Sequence, residues 1–152
     1  YRRGLYTFLC RSFPHPAMVA FDAPSREECA AERPRSNIPQ QALVLLNDPV
    51  FVETARALAE RLLGYELADD SQRIEKLFQL ALTRKPDKKE EKILLELLAQ
   101  QRERFATDEA SAKALVSIGQ KPAEAKLKTI ELAAWTSISR AIMNLYETTA
   151  RF

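Results

Sequence analysis

Residues 130–145 read IELAAWTSISRAIMNL. Apolar side chains stand at Ile130, Leu132, Trp135, Ile138, Ile142 and Leu145 with alanines between them, so nearly the whole circumference of a helix is apolar. Such a helix has to be covered on several sides by other helices. One stripe stays polar: Thr136, Arg140, Asn144 and Glu147 recur at helical spacing and share a face. With the rest of the helix buried, that stripe is expected to meet polar partners in place of bulk water. The helix as a whole is expected to run from Pro122 to Thr148.

Upstream, the pattern repeats in amphipathic form. Gln40 to Leu46 (QQALVLL) reads as a short apolar helix. Asn47-Asp48-Pro49 then supplies an N-cap with proline at the first helical position. The helix that follows places Phe51, Ala55, Leu58, Ala59 and Leu62 on one face and is expected to end at Gly64. The next starts near Ser71, buries Ile74, Leu77, Phe78 and Ala81, and stops before Pro86. Asp87 with Glu90 has the spacing of a capping box and opens a helix with Ile93, Leu94, Leu97, Leu98 and Phe105 inside. Asp108 caps a shorter helix carrying Leu115 and Val116, closed by Gly119.

Composition agrees with this pattern. The chain has 152 residues, enough for one compact domain, and 46% of them are apolar. Only three glycines occur, where a β-rich domain of this size needs more for its turns. The net charge of +2 is too small to argue for nucleic acid or an anionic membrane. No run of eighteen apolar residues is present, so no membrane span is expected in this segment. Beginning at Tyr1 with no methionine, the chain reads as an excised piece of something longer.

The first third is different in kind. Pro14, Pro16, Pro24, Pro34 and Pro39 interrupt it, which favours extended loop, and Ser25 with Glu28 has capping-box spacing. Arg2 to Phe13 reads as a short helix or the end of one. All six basic residues before Pro49 are arginine (Arg2, Arg3, Arg11, Arg26, Arg33, Arg35), whereas every lysine lies at Lys76 or later. Arginine suits fixed, planar pairing with carboxylates and oxyanions. Residues 1–49 therefore form a loop-rich arm and residues 50–152 a bundle, together one helical domain. The expected fold is all-α: about five to six helices with a long proline- and arginine-rich N-terminal loop packed across them.

Candidate functional residues concentrate in the arm and on the polar stripe. Arg33, Arg35 and Asn37 alternate along an extended segment and point the same way, as an anion cradle requires. The competing reading has these arginines holding helix C-terminal carbonyls and the Glu147 carboxylate. Asp22 and Glu147 are candidate acid and base groups, although Asp22 in Phe-Asp-Ala-Pro suits a turn. Glu147, near a helix C-terminus, needs a cation beside it. The candidate ligand-binding set is thus Arg33, Arg35, Asn37, Asp22, Arg140, Asn144 and Glu147. His15 is the only histidine and with Cys10 and Cys29 makes no zinc cluster, so no metal is expected. No C-x-x-C-H is present, so no haem attaches to this segment. The two cysteines leave one disulfide open. Tyr6, Phe8, Phe13, Met18 and Phe21 read as apolar anchors for the arm.

Several stretches are familiar in combination: RRGLYTF at 2–8, PHPAM at 14–18, FDAPSREEC at 21–29, RPRSNIPQQALVLLNDPVFVETARALAERLL at 33–63 and ELAAWTSISRAIMNLYE at 131–147. They resemble a planctomycete-specific domain of unknown function found at the C-terminal end of large multidomain proteins. The resemblance implies an exported, extracytoplasmic protein, often carrying a cytochrome c-like domain, with haem on that other domain. It implies no activity. Neighbouring domains of the same polypeptide are the implied partners, with a polysaccharide or an electron-transfer protein as further candidates and no nucleic acid. A non-catalytic structural module is the leading expectation; part of a site for a sulfated or acidic sugar is the alternative.

Overall fold

The computed structural model describes residues 8, 10, 12–24, 29, 31, 32 and 34–149. The fold is all-α: among the described residues lie eight helices and no strand. They are α1 (Pro16–Ala20), α2 (Pro39–Asn47), α3 (Pro49–Leu63), α4 (Asp70–Leu82), α5 (Lys88–Thr107), α6 (Glu109–Val116), α7 (Thr129–Met143) and α8 (Tyr146–Thr149). Helices α1 and α8 are short turns of five and four residues, and α1 lies in a stretch whose prolines suggested loop. The possible Arg2–Phe13 helix falls mostly, and the Ser25–Glu28 box wholly, outside the described residues. The chain divides into two compact units, Tyr1–Val44 and Leu45–Phe152, with the boundary inside α2 and ahead of the one drawn at Pro49 from sequence.

In the first unit, His15 is the N-cap of α1: its Nδ1 accepts from the Ala17 amide at 3.3 Å, and Pro16 stands at the first helical position. Asp22 follows the helix with φ 57°, a left-handed conformation that aspartate tolerates better than most residues. Its carboxylate accepts from the Ser36 amide and hydroxyl, both at 2.7 Å. The Gln41 amide group in turn donates to the Ser36 carbonyl at 3.1 Å. A turn, an extended strand of loop and the start of α2 are thereby tied together within this unit.

Four helices of the second unit, α3 to α6, start where a short acceptor side chain precedes them. Asp48 receives the Val50 amide with Pro49 behind it, Asp69 receives Gln72, and Asp108 receives Ser111. Asp87 and Glu90 form the full reciprocal capping box of α5. Helix α7 is central, packing on α3, α5 and α6 and more lightly on α4 and α8. Leu132, Ala133, Ala134, Trp135, Ile138 and Ile142 are all at or below 1% exposure. They meet Ala59 and Leu62 of α3, Ile74, Leu77 and Phe78 of α4, Leu94, Leu98 and Phe105 of α5, and Ala112 and Val116 of α6 in one core. Emptying the Trp135 position would cost about 3–5 kcal/mol.

Three expectations need correcting. Ile93 is 62% exposed, because α5 needs only the Leu94, Leu98 and Phe105 stripe to meet the core. Gly64 ends α3 in right-handed geometry (φ −75°) and not in a left-handed cap. The long C-terminal helix is shorter than its sequence suggests: it starts at Thr129, not Pro122, and breaks at Asn144 before α8.

The late start of α7 has a physical cause in α3. Glu53, Arg56 and Glu60 lie one turn apart and are buried, at 4%, 1% and 6% exposure. Arg56 donates to the carbonyls of Val116, at 2.9 Å, and Lys121. Glu53 accepts from the amides of Gln120 (2.7 Å) and Lys121 (3.0 Å), and Glu60 from that of Glu124 (3.3 Å). Both carboxylates also neutralise Arg56, at 3.6 and 3.9 Å. The Val116 and Lys121 carbonyls and the Gln120, Lys121 and Glu124 amides therefore find partners on α3, and residues 120–124 do not form a helix of their own. Gly119 makes the approach possible: its φ is +109°, and a Cβ there would sit 2.0 Å from Oε2 and 2.8 Å from Cβ of Glu53.

The two glycines of this unit are expected to respond oppositely. Gly119→Ala adds backbone strain of roughly 1–3 kcal/mol and pushes Glu53 off its amides, so the melting temperature falls by several degrees. Gly64→Ala meets only ordinary contacts of 3.4 Å or more in permitted geometry, and is neutral or stabilising by about 0.4–1 kcal/mol. Thermal denaturation of the two variants checks both signs.

Candidate functional site

The polar stripe comes from the C-terminal half of α7. Thr136 is fully buried and donates its hydroxyl to the Leu132 carbonyl at 2.7 Å, so it holds its own helix. One turn on, Arg140 donates through Nη2 to the carbonyl of Leu46, in the last turn of α2. A cation there completes the partial negative charge of a helix C-terminus. Burial pushes the Arg140 guanidinium below its ordinary value, and no carboxylate among the described residues pairs with it. Its Nε and the Oδ1 of Asn144, the C-cap of α7, are buried with no hydrogen-bond partner among the described residues. A donor and an acceptor one turn apart thus lack partners at the same end of the helix.

Glu147 does not extend this stripe. The chain leaves the α7 axis after Met143, and the Thr148 hydroxyl turns back to the Ile142 carbonyl at 2.9 Å. Glu147 stands in α8 and accepts from Arg84, at 2.8 Å to Nε and 3.2 Å to Nη2. Its arginine therefore comes from the α4–α5 connection, not from the arm. Arg84 also grips Glu90 at 2.6 and 2.8 Å and lies over the Phe78 ring, 5.1 Å from its centre. That grip holds the Glu90 carboxyl down at about 2.

Of the arm residues, Arg33 lies outside the described residues. Arg35 and Asn37 are exposed, and Asp22 is engaged with Ser36. Phe8 and Phe13 are 85% and 81% exposed, so neither is an anchor, while Met18 and Phe21 are half-buried. An aromatic side chain can anchor only where the backbone brings it against other apolar groups, and spacing in a loop does not report that. Cys10 and Cys29 are free thiols.

Two features escaped sequence reasoning. The buried Glu53–Arg56–Glu60 group had a signal: its spacing of three and four puts three charges beside the apolar stripe Val52, Ala55, Ala59 and Leu62. The other is a cleft of about 460 Å³ between α6 and the start of α7, lined by Glu109, Ala112, Lys113, Lys128, Thr129, Ile130 and Glu131. Glu131 is held there by Arg102 and by the Trp135 indole N–H at 2.9 Å. Arg102 also binds Asp70 and keeps that carboxyl below the usual range. None of the seven candidate residues lines this cleft.

A family model described as PSD1, protein of unknown function (DUF1553), matches residues 1–98. The chain belongs to this family. The match covers the first unit and α2 to the first half of α5, including the Glu53–Arg56–Glu60 group and Arg84; Arg140, Asn144 and Glu147 lie beyond it. No curated protein and no solved structure matches the chain. Among the described residues, no helix is long and apolar enough to cross a membrane, and no group of three or more His, Cys, Asp or Glu is placed to hold a metal ion.

The Arg84 cluster sets a pH dependence. Glu90 is ionised more readily in the folded chain than in the unfolded one, so its contribution is present above about 4.5 and lost as pH falls towards 2. The melting temperature is expected to drop through that window, and Arg84→Met to flatten the drop while leaving stability near pH 2 little changed. Thermal melts at a series of acid pH values measure this.

Proposed function

We propose that the chain is a non-catalytic structural and interaction module of an exported, cytochrome-linked multidomain protein, docking neighbouring domains of its own polypeptide. The observation that carries this reading is how the second unit uses its arginines. Arg56, Arg84 and Arg102 each hold two carboxylates of the same unit, which commits these cations to internal bracing. Large apolar groups are meanwhile left to solvent, Phe8 and Phe13 above all, and such side chains are what a docked neighbour covers. The extracytoplasmic setting and the haem on another domain rest on the resemblance of the arm and α7 motifs to the planctomycete-specific domain.

A second reading, recognition of a sulfated or acidic sugar, is favoured by the half-buried Arg140, which pairs with no carboxylate among the described residues. A guanidinium held only by a carbonyl has donors left for a sulfate or carboxylate, and an amide beside it would take a sugar hydroxyl.

In the full-length polypeptide, Phe8→Asp with Phe13→Asp is expected to expose the arm and its neighbour to amide hydrogen exchange while leaving the melting temperature of this chain alone unchanged. Unaltered exchange in the full-length protein would sink the docking reading. A sulfated oligosaccharide that raises the melting temperature of the wild type, but not of Arg140→Gln, would replace it with the second.

A further inference from the structure

The segment between α6 and α7 has a sequence at odds with its conformation. Residues 122–128 read PAEAKLK: a proline fit for the first helical position, then only strong helix formers. Glu124 and Lys128 stand four apart with the acid first, the favourable order on a helix. These residues nevertheless form extended chain and one turn, closed by the Leu127 amide donating to the Glu124 carbonyl at 3.2 Å.

Nothing local stops α7 from starting earlier. Its N-cap is Lys128, whose side chain cannot accept, and no side-chain cap hydrogen bond is made. Every other helix of eight or more residues that starts after Asn47 has an aspartate at that position. The restraint is remote. Glu60 takes the Glu124 amide, Glu53 takes those of Gln120 and Lys121, and Arg56 occupies the Lys121 carbonyl, which a helix from Pro122 would need for the Ala125 amide. Ala123 and Leu127 are partly buried against the core as long as the segment is held.

We infer that residues 122–128 are a conformational switch: a strap while Glu53, Arg56 and Glu60 hold them, and an N-terminal extension of α7 when they are let go. A helix-forming sequence kept out of a helix by tertiary contacts is a two-state element, and whatever competes for the restraining groups selects the state. The Glu60 carboxylate is the natural handle: it is buried, but the exposed Lys121 side chain reaches it with Nζ at 3.7 Å, which marks the route by which a cationic side chain of a partner takes the place of Lys121.

Backbone NMR shifts of residues 122–128, together with far-ultraviolet ellipticity, test this in the complete chain. Glu60→Leu, and Glu53→Leu with Glu60→Leu, which remove the acceptor oxygens that a glutamine would keep, are expected to move the Cα shifts of 122–128 to helical values and to increase the ellipticity at 222 nm. Adding Lys128→Pro should cancel both changes, since a proline there falls in the interior of the extended helix and breaks it, whereas Lys128 already has φ −66° in the strap. In the wild type the same proline should leave the melting temperature unchanged or raise it. Shifts that go to coil values, or that stay where they are in Glu60→Leu, overturn the switch. If the double variant does not fold, Glu60→Leu alone decides.

Discussion

An arginine with 1% of its surface exposed cannot exist in a small helical bundle without groups that neutralise and bind its charge, and the requirements of Arg56 organise much of this chain. Two carboxylates of its own helix neutralise it, and two carbonyls from some sixty residues later accept its protons. Removing one partner from such a group costs about 3–5 kcal/mol, a large part of the stability of a domain this size. The same carboxylates reach past the arginine to three backbone amides, so the charge group also determines the path of the chain from Val116 to Glu124. Helix α7 begins where that path ends, and the core closes around it.

How much of this could be read from the residues depended on the range of the forces involved. Asp48-Pro49, Asp87 with Glu90, and Asp108 act within one helical turn, and each starts its helix where the spacing says it should. The apolar circumference of residues 130–142 likewise predicts a central helix, since periodicity carries information about burial. Pro122 and Ile93 misled for the opposite reason. A proline followed by helix formers is a start signal until a carboxylate on another helix takes its amides. An isoleucine beside an apolar stripe looks internal until the neighbouring helices prove too few to cover it.

The candidate site divides along the same line. Thr136, Arg140 and Asn144 share an end of α7 as their spacing requires, because a regular helix transmits register faithfully. Glu147 fits the spacing but not the place, since the helix ends before reaching it and Arg84, sixty-three residues upstream, receives it. Charges in sequence do not say which partner they will meet. The arm is harder still: its arginines alternate, yet alternation gives direction only where the backbone is regular, and Asp22 spends its carboxylate on Ser36. The family match covers residues 1–98 and supplies no chemistry to break such ties.

The position of α7 in the chain has a bearing on how the protein is made. A ribosome delivers α3, α4, α5 and α6 before the helix they all pack upon, and Arg56 emerges sixty residues ahead of the carbonyl that will cover it. Until then the nascent bundle carries apolar faces and a charge group with nowhere to go. Completion is a late, concerted event, as long-range closures are. A chain interrupted before α7 has been made is therefore an open one, with its core uncovered, however complete its earlier helices are.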